Sequence, residues 1–282
     1  MGDRAAAPPR WPARLSLSAT QVSGRTAVHA RHSGPLRLLK TLYPEGEAIA
    51  HAVLVHPPGG LVGGDRLDID IDVQPGAHLL VTTPAATRFY RSVAGEAVQA
   101  VSAQVAAGSR LEWLPQETLA YSGCDGRNEV RLHLAPGAQL LAGEILALGL
   151  PAAEQAFVAG RLLQHLEVPG LWLDRGWLAA QDTALLNGPA GLAGHRVLGT
   201  LVAVQDGQPT GLEALLDDSR QCLASLPASG VSLLARGARS VLLARVLAPD
   251  VEQATLPLRA LRALWRQRLW GLAPCEPRVW AT

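Results

Sequence analysis

Apolar residues recur at every second position through much of the chain. Leu67, Ile69, Ile71 and Val73 alternate with Asp68, Asp70 and Asp72, the pattern of a strand with one buried and one solvated face. Leu15-Ser16-Leu17-Ser18 and Thr26-Ala27-Val28-His29 read as strands too, and Ala52-Val53-Leu54-Val55 is a short apolar run of strand type. Leu36 to Leu42 forms a further apolar segment, closed by Tyr43-Pro44-Glu45-Gly46. An internal repeat follows. Val73-Gln74-Pro75-Gly76-Ala77-His78-Leu79-Leu80 recurs as Val105-Ala106-Ala107-Gly108-Ser109-Arg110-Leu111-Glu112 and as Leu134-Ala135-Pro136-Gly137-Ala138-Gln139-Leu140-Leu141, with a fainter copy at Val168-Pro169-Gly170. Each copy reads as strand, tight turn, strand, which is hairpin chemistry. Stacked units of this kind bury a face that none buries alone. The expectation is a mainly β, layered body from Leu36 to about Val204.

The period changes towards the C-terminus. Leu212, Leu215, Leu216, Cys222, Leu223 and Leu226 recur with helical spacing behind Thr210-Gly211-Leu212-Glu213, which has the form of a capping box. Pro227 ends that run. Val231 to Ala235 and Ser240 to Ala248 read as two strands joined by Arg236-Gly237-Ala238-Arg239. Pro257 suits a first helical turn. After it, Leu258, Leu261, Leu264, Trp265 and Leu269 form one stripe, with Arg259, Arg262 and Arg266 on another face. Two helices are therefore expected, near 212–226 and 258–270. Residues 1–14, with Pro8, Pro9 and Pro12, are expected to be a flexible leader to a single β domain over 15–282.

Between two of the expected strands lies His56-Pro57-Pro58-Gly59-Gly60-Leu61-Val62-Gly63-Gly64-Asp65. Its prolines and glycines leave no room for regular structure. It is not a phosphate loop, because Gly-Lys-Ser/Thr is absent and the next segment has strand period rather than a helix N-terminus. A Gly-x-Ser-x-Gly elbow is also absent. The His29/His32 pair has no partner motif, and His51 and His56 are too far out of phase to share a strand face. Asp68, Asp70 and Asp72 read as a solvated face. Asp65 differs because it closes a glycine loop. Glu144 differs because it interrupts an apolar strand, where a carboxylate needs a partner or a water-filled cavity. A core acid paired with arginine is the other reading of Glu144.

Composition narrows the class. Of 282 residues, 48% are hydrophobic and 17% charged, enough for a large core. A net charge of +1 gives no general field for nucleic acid. No signal peptide or membrane span is read from the sequence. Cys124, Cys222 and Cys275 are widely spaced without a Cys-x-x-Cys pair, the usage of a cytoplasmic protein.

His56 to Asp65 resembles the signature loop of the urease accessory protein UreD (UreH) family. Thr82 to Ser92 (TTPAATRFYRS), Leu111 to Gly123 (LEWLPQETLAYSG), Gly143 to Ala152 (GEILALGLPA) and Pro277 to Thr282 (PRVWAT) resemble that family in the same order. Leu150 departs from it, standing where an arginine is expected after Gly149. The resemblance implies a β-helix-like stack of sheets carrying two helices, and a maturation factor rather than an enzyme. Such a scaffold would bind UreF, with the GTPase UreG joining, and dock on apo-urease so that nickel reaches its active site. Nickel would be transient cargo, with no tightly bound cofactor. Asp65 and Glu144 are expected to line a water-filled passage for it, walled by Gly60, Gly63, Gly64, Thr82, Thr83, Ser92 and Thr118. Arg262, Trp265, Arg266, Trp270, Arg278 and Trp280 are expected to meet the partner, since Trp and Arg dominate interface hot spots; clamping of the helix onto the β body is the alternative. A rival function is a β-solenoid carbohydrate enzyme with a carboxylate pair drawn from Asp65, Glu112, Glu117 and Glu144.

Overall fold

A computed structural model describes residues 11–207 and 211–281. The chain begins with β1 (Trp11–Val22), β2 (Arg25–Ser33), β3 (Arg37–Leu38), β4 (Ile49–Val55), β5 (Asp65–Val73) and β6 (His78–Thr82). It continues through β7 (Thr87–Phe89), β8 (Ala97–Val105), β9 (Arg110–Trp113), β10 (Thr118–Ala120), β11 (Cys124–Leu134) and β12 (Gln139–Leu148). After β13 (Gly160–Val168) and β14 (Trp172–Ala179) come the short helix α1 (Thr183–Asn187) and β15 (Val197–Asp206). Helix α2 (Glu213–Cys222), β16 (Ser229–Arg236), β17 (Arg239–Ala248) and α3 (Val251–Trp270) complete it. The expected leader lies outside the described residues over 1–10, and its last part is not loose: Trp11 to Arg14 open β1, with Ala13 buried.

Two sheets face each other. The first has the order β14-β13-β11-β8-β5-β1-β2, and the second β16-β17-β15-β12-β9-β6-β4-β3. The repeat turns keep the expected left-handed glycines, with φ of +76° at Gly76, +70° at Gly108 and +82° at Gly137. They do not make hairpins. Each carries the chain from the first sheet to the second, so β5, β8, β11 and β13 pair in parallel, as do β6, β9 and β12. Only the faint fourth copy, at Gly170, closes an antiparallel hairpin, β13–β14. The corners bond to one another: the Ala106 N–H donates to the Val73 carbonyl, and the Ala135 N–H to that of Val105. A corner satisfied by the next corner need not fold back on its own strand, and the result is solenoid-like stacking.

The inner faces hold one core, with Leu17, Ile71, Val101 and Leu132 from the first sheet against Leu79, Leu111, Leu140 and Val202 from the second. A second core fills the space between the second sheet and helices α2 and α3, through Leu141, Leu201, Leu242, Leu261 and Trp265. Asp70 and Asp72 are exposed on the outside of the first sheet, as their alternation requires.

Two helix boundaries differ from expectation. Helix α3 starts at Val251 instead of near 258, and Pro257 lies inside it. Its start is set by Asp250, which accepts the Gln253 N–H at 2.9 Å while the Gln253 amide returns to the Asp250 carboxylate at 2.6 Å. Helix α2 stops at Cys222, short of Leu226; Thr210 of its expected capping box lies outside the described residues.

Candidate functional site

The inner faces of the two sheets carry a polar seam through an otherwise apolar core. In the first sheet, Gln99, Asn128 and Gln164 are in register on adjacent strands. Their amides form a one-way chain: Gln99 donates to Asn128 at 3.0 Å, Asn128 donates to Gln164 at 3.2 Å, and Gln164 donates to the Glu144 carboxyl. In the second sheet Glu144 is in register with Thr200, and Thr200 with Arg245. The Trp113 indole N–H points at the other Glu144 oxygen, 3.5 Å away. Burial lifts the Glu144 pKa to about 8, and the charge of Asp174 adds to that lift against the hydrogen bonds from Trp113, Gln164 and Asn128. Burial thus favours the neutral form of Glu144, which is held by amide and indole donors. It is not an arginine-paired core acid.

Cavities flank this seam. One, beside the glycine loop, is lined by His56, Gly60, Thr83, Arg88, Gln99 and Trp113. Burial holds the His56 imidazole below its usual range. The other is lined by Glu144, Gln164, Asp174 and Thr200. Gln99, Asn128, Gln164 and Thr200 were not among the residues read from the sequence. The signal was present for Gln99 and Asn128, since each occupies a buried-parity position of an alternating strand.

The other expected passage residues are distributed differently. Asp65 is buried, but its carboxylate accepts the Val62 N–H at 2.9 Å and so caps the glycine loop. It shares neither flanking cavity with Glu144. Gly60 and Gly63 serve close packing: a Cβ on Gly60 would lie 2.3 Å from the Tyr90 ring, and one on Gly63 would lie 2.1 Å from Ser92 Oγ. Gly64 adopts φ +90° at the end of the loop. Thr83 and Gly60 do line the near cavity. Thr82 donates to the Leu114 carbonyl at 2.6 Å, Ser92 donates to the Gly95 carbonyl at 2.6 Å, and Thr118 is buried in β10.

On its helix side the second sheet carries a buried ion network. Glu112, wholly buried, accepts from Arg262 at 2.9 Å, from Arg266 at 3.1 Å, and lies 3.0 Å from His78 Nε2. Arg266 also grips Glu45 at 2.8 Å, and Glu45 meets His51 at 2.8 Å. Burial opposes the Glu112 charge, yet His78 and the two arginines outweigh it and bring its pKa down to about 2. Arg262, Trp265, Arg266 and Trp270 are all buried under α3. They clamp the helix to the sheet, and they do not form the exposed surface expected of them. Arg278 is exposed, and Trp280, half-buried, lies between Arg259 and Arg262 with its N–H on Thr82 at 2.8 Å.

Glu112 and Glu144 lie on opposite faces of the second sheet, one held ionised and one favoured neutral. Asp65 is a loop cap, and Glu117 borders a groove beside the start of α3. No glycosidase-like pair is therefore formed by these four. Among the described residues no cluster of three His, Cys, Asp or Glu side chains has metal-ligand spacing. No helix among them is long and apolar enough to cross a membrane.

A fold of this kind is a stacked β scaffold with its polar chemistry turned inward. Comparison with known proteins gives it a family. The UreD urease accessory protein family matches residues 12–281. Urease accessory protein UreD of Leptothrix cholodnii is 52% identical over 261 residues, covering 92% of this chain and 94% of its own. The protein of the same name from Paracidovorax citrulli is 50% identical over 273 residues, covering 96% and 99%. That from Polaromonas sp. is 47% identical over 273 residues, with the same coverage. The chain belongs to the UreD family, whose members are urease maturation factors rather than enzymes, and the carbohydrate-enzyme reading falls with that membership.

Proposed function

We propose that this chain is the scaffold on which UreF and the GTPase UreG deliver nickel to apo-urease in the cytoplasm, and that the nickel crosses the space between its two sheets. The observation that supports this reading is the polar seam centred on Glu144, with a cavity at each side. Ni(II) on amide, carboxylate and water oxygens exchanges faster than in a His/Cys cage, which suits a conduit for transient cargo. Gln164 and Thr200 would be its inner contacts through neutral oxygens, Glu144 would join them by giving up its proton as the cation arrives, and Asp65 would shape the near cavity by fixing the loop that carries His56 and Gly60. For UreF, the exposed Arg278 and half-buried Trp280 are better candidates than the buried side chains of α3.

The test replaces Glu144 by arginine and Thr200 by tryptophan to fill the seam, and measures nickel content of urease after co-expression. The reading requires an intact assembly with under-metallated urease. Normal metallation in both variants would remove it, and loss of assembly in both would leave a structural role in its place.

A further inference from the structure

The second-sheet row does not end at Thr200. Thr200 is in register with Arg245 on β17, and Arg245 with Gly230 on β16. In the first sheet Gln164 is in register with Gly176 on β14. Strands β14 and β16 are the edges of their sheets at the same end of the stack, since the Arg236 guanidinium, from β16, reaches the Leu171 carbonyl beside β14 at 3.2 Å. Both glycines look onto open space: a Cβ built on Gly176 or Gly230 meets nothing within 4 Å. Both rows therefore finish in positions without side chains, at a gap between two edge strands.

One ion pair spans that gap. Arg245 Nη2 lies 2.9 Å from Asp174 Oδ2, and the two side chains are 34% and 31% exposed. Asp174 is also a wall of the cavity that holds Glu144, Gln164 and Thr200. Alternation along β17 turns Arg245 to the inner face with Val241, Leu243 and Leu247. A guanidinium has no neutral form at physiological pH, so it repels any cation approaching along the seam.

We infer that the Asp174–Arg245 pair is the outer gate of the conduit, open while Asp174 holds the guanidinium at the rim, outside the lining of the cavity, and closed when the guanidinium leaves Asp174 and lies across the mouth. The inference rests on the conduit reading above. Asp174 has two parts in it: it parks the guanidinium at the rim, and it offers oxygen to a departing cation. Removing each partner should then have opposite consequences. With Arg245→Met the mouth stays open. With Asp174→Asn the guanidinium loses its anchor and stays in the path.

The experiment uses the purified complex of this chain with UreF and UreG, apo-urease as acceptor, and nickel ion with GTP as the supply. Nickel bound to urease is followed against time, and assembly is checked by size-exclusion chromatography. Arg245→Met should load urease faster and Asp174→Asn more slowly, the two differing by roughly tenfold. Arg245→Lys should restore the wild-type rate, and Arg245→Gln provides a second neutral variant should the methionine form fail to assemble. Equal effects of the same sign from Arg245 and Asp174 variants would show a structural tie between edge strands and overturn the gate. Failure of the conduit itself is seen separately, as normal loading through the Glu144→Arg chain.

Discussion

Glu144 and Glu112 are buried carboxyl groups on neighbouring strands with opposite chemistry. Glu144 has donors but no cation beside it, so its pKa is raised to about 8; Glu112 has two arginines and stays ionised down to about pH 2. The signs of their stability contributions are opposite. A raised carboxyl pKa gives stability that is complete below the unfolded value near 4.5 and is lost as pH rises through about 8. Glu144→Gln removes that dependence. Relative to the parent chain it should gain up to about 1.4 kcal/mol for each pH unit between 5 and 8, read from urea unfolding at several pH values. A lowered pKa gives stability that is present above about 4.5 and is lost as pH falls through about 2. Glu112→Gln leaves Arg262 and Arg266 buried without their shared anion. The expected loss is about 3–5 kcal/mol at neutral pH, with α3 the first element to lose amide-exchange protection.

At the scale of elements, the alternating strands and the helical stripe of α3 were legible because each is a local period. What the repeat turns do was not. Pro75-Gly76 and Pro136-Gly137 specify a left-handed turn glycine, but whether the chain folds back or steps to a facing sheet depends on the neighbouring corner, which supplies the hydrogen bonds. The start of α3 is set by Asp250 and Gln253, a cap visible in the sequence, and not by Pro257, which the helix accommodates in its second turn. Glu144 was legible as a charge in an apolar run. The amide row facing it lies 16 to 45 residues away in sequence at Asn128 and Gln99, and only strand register brings it there. Burial of Arg262 and Arg266 was hidden for the same reason, since their partner Glu112 belongs to β9. The glycines at strand ends are not equivalent either. A Cβ on Gly108 meets nothing within 4 Å, whereas one on Gly160 would lie 2.3 Å from the Cys124 carbonyl oxygen. Gly108→Ala should cost about 1 kcal/mol for its positive φ alone, and Gly160→Ala distinctly more, because β11 and β13 must part there. Thermal unfolding of the two variants measures the difference.

At the scale of the whole molecule, the described residues offer no phosphate loop, and the proposed scaffold role leaves GTP chemistry to a partner. Calorimetry with the isolated chain should register no GTP binding at micromolar concentrations; a clear isotherm would count against the scaffold assignment. Partner contact should likewise follow exposure. Arg278→Ala should weaken UreF capture while the fold survives, whereas Arg266→Ala should weaken it only through loss of α3 docking, a distinction that circular dichroism of the two variants makes directly.

The buried ion network also sets an order of events during synthesis. Arg262 and Glu112 are separated by 150 positions, and Arg266 and Glu45 by 221. The stack can begin to coil as soon as its first corners leave the ribosome, but the helix that covers the second sheet arrives last. Until then Leu80, Leu141 and Leu201 face water with no cover. The nascent chain therefore passes through an interval in which a broad apolar sheet face is available to any neighbour, and its yield depends on how soon that face is closed. A chain terminated at Pro249 makes that interval permanent. It should collect in the insoluble fraction, while the same truncation supplied with the 250–282 segment as a separate peptide should be partly recovered in solution.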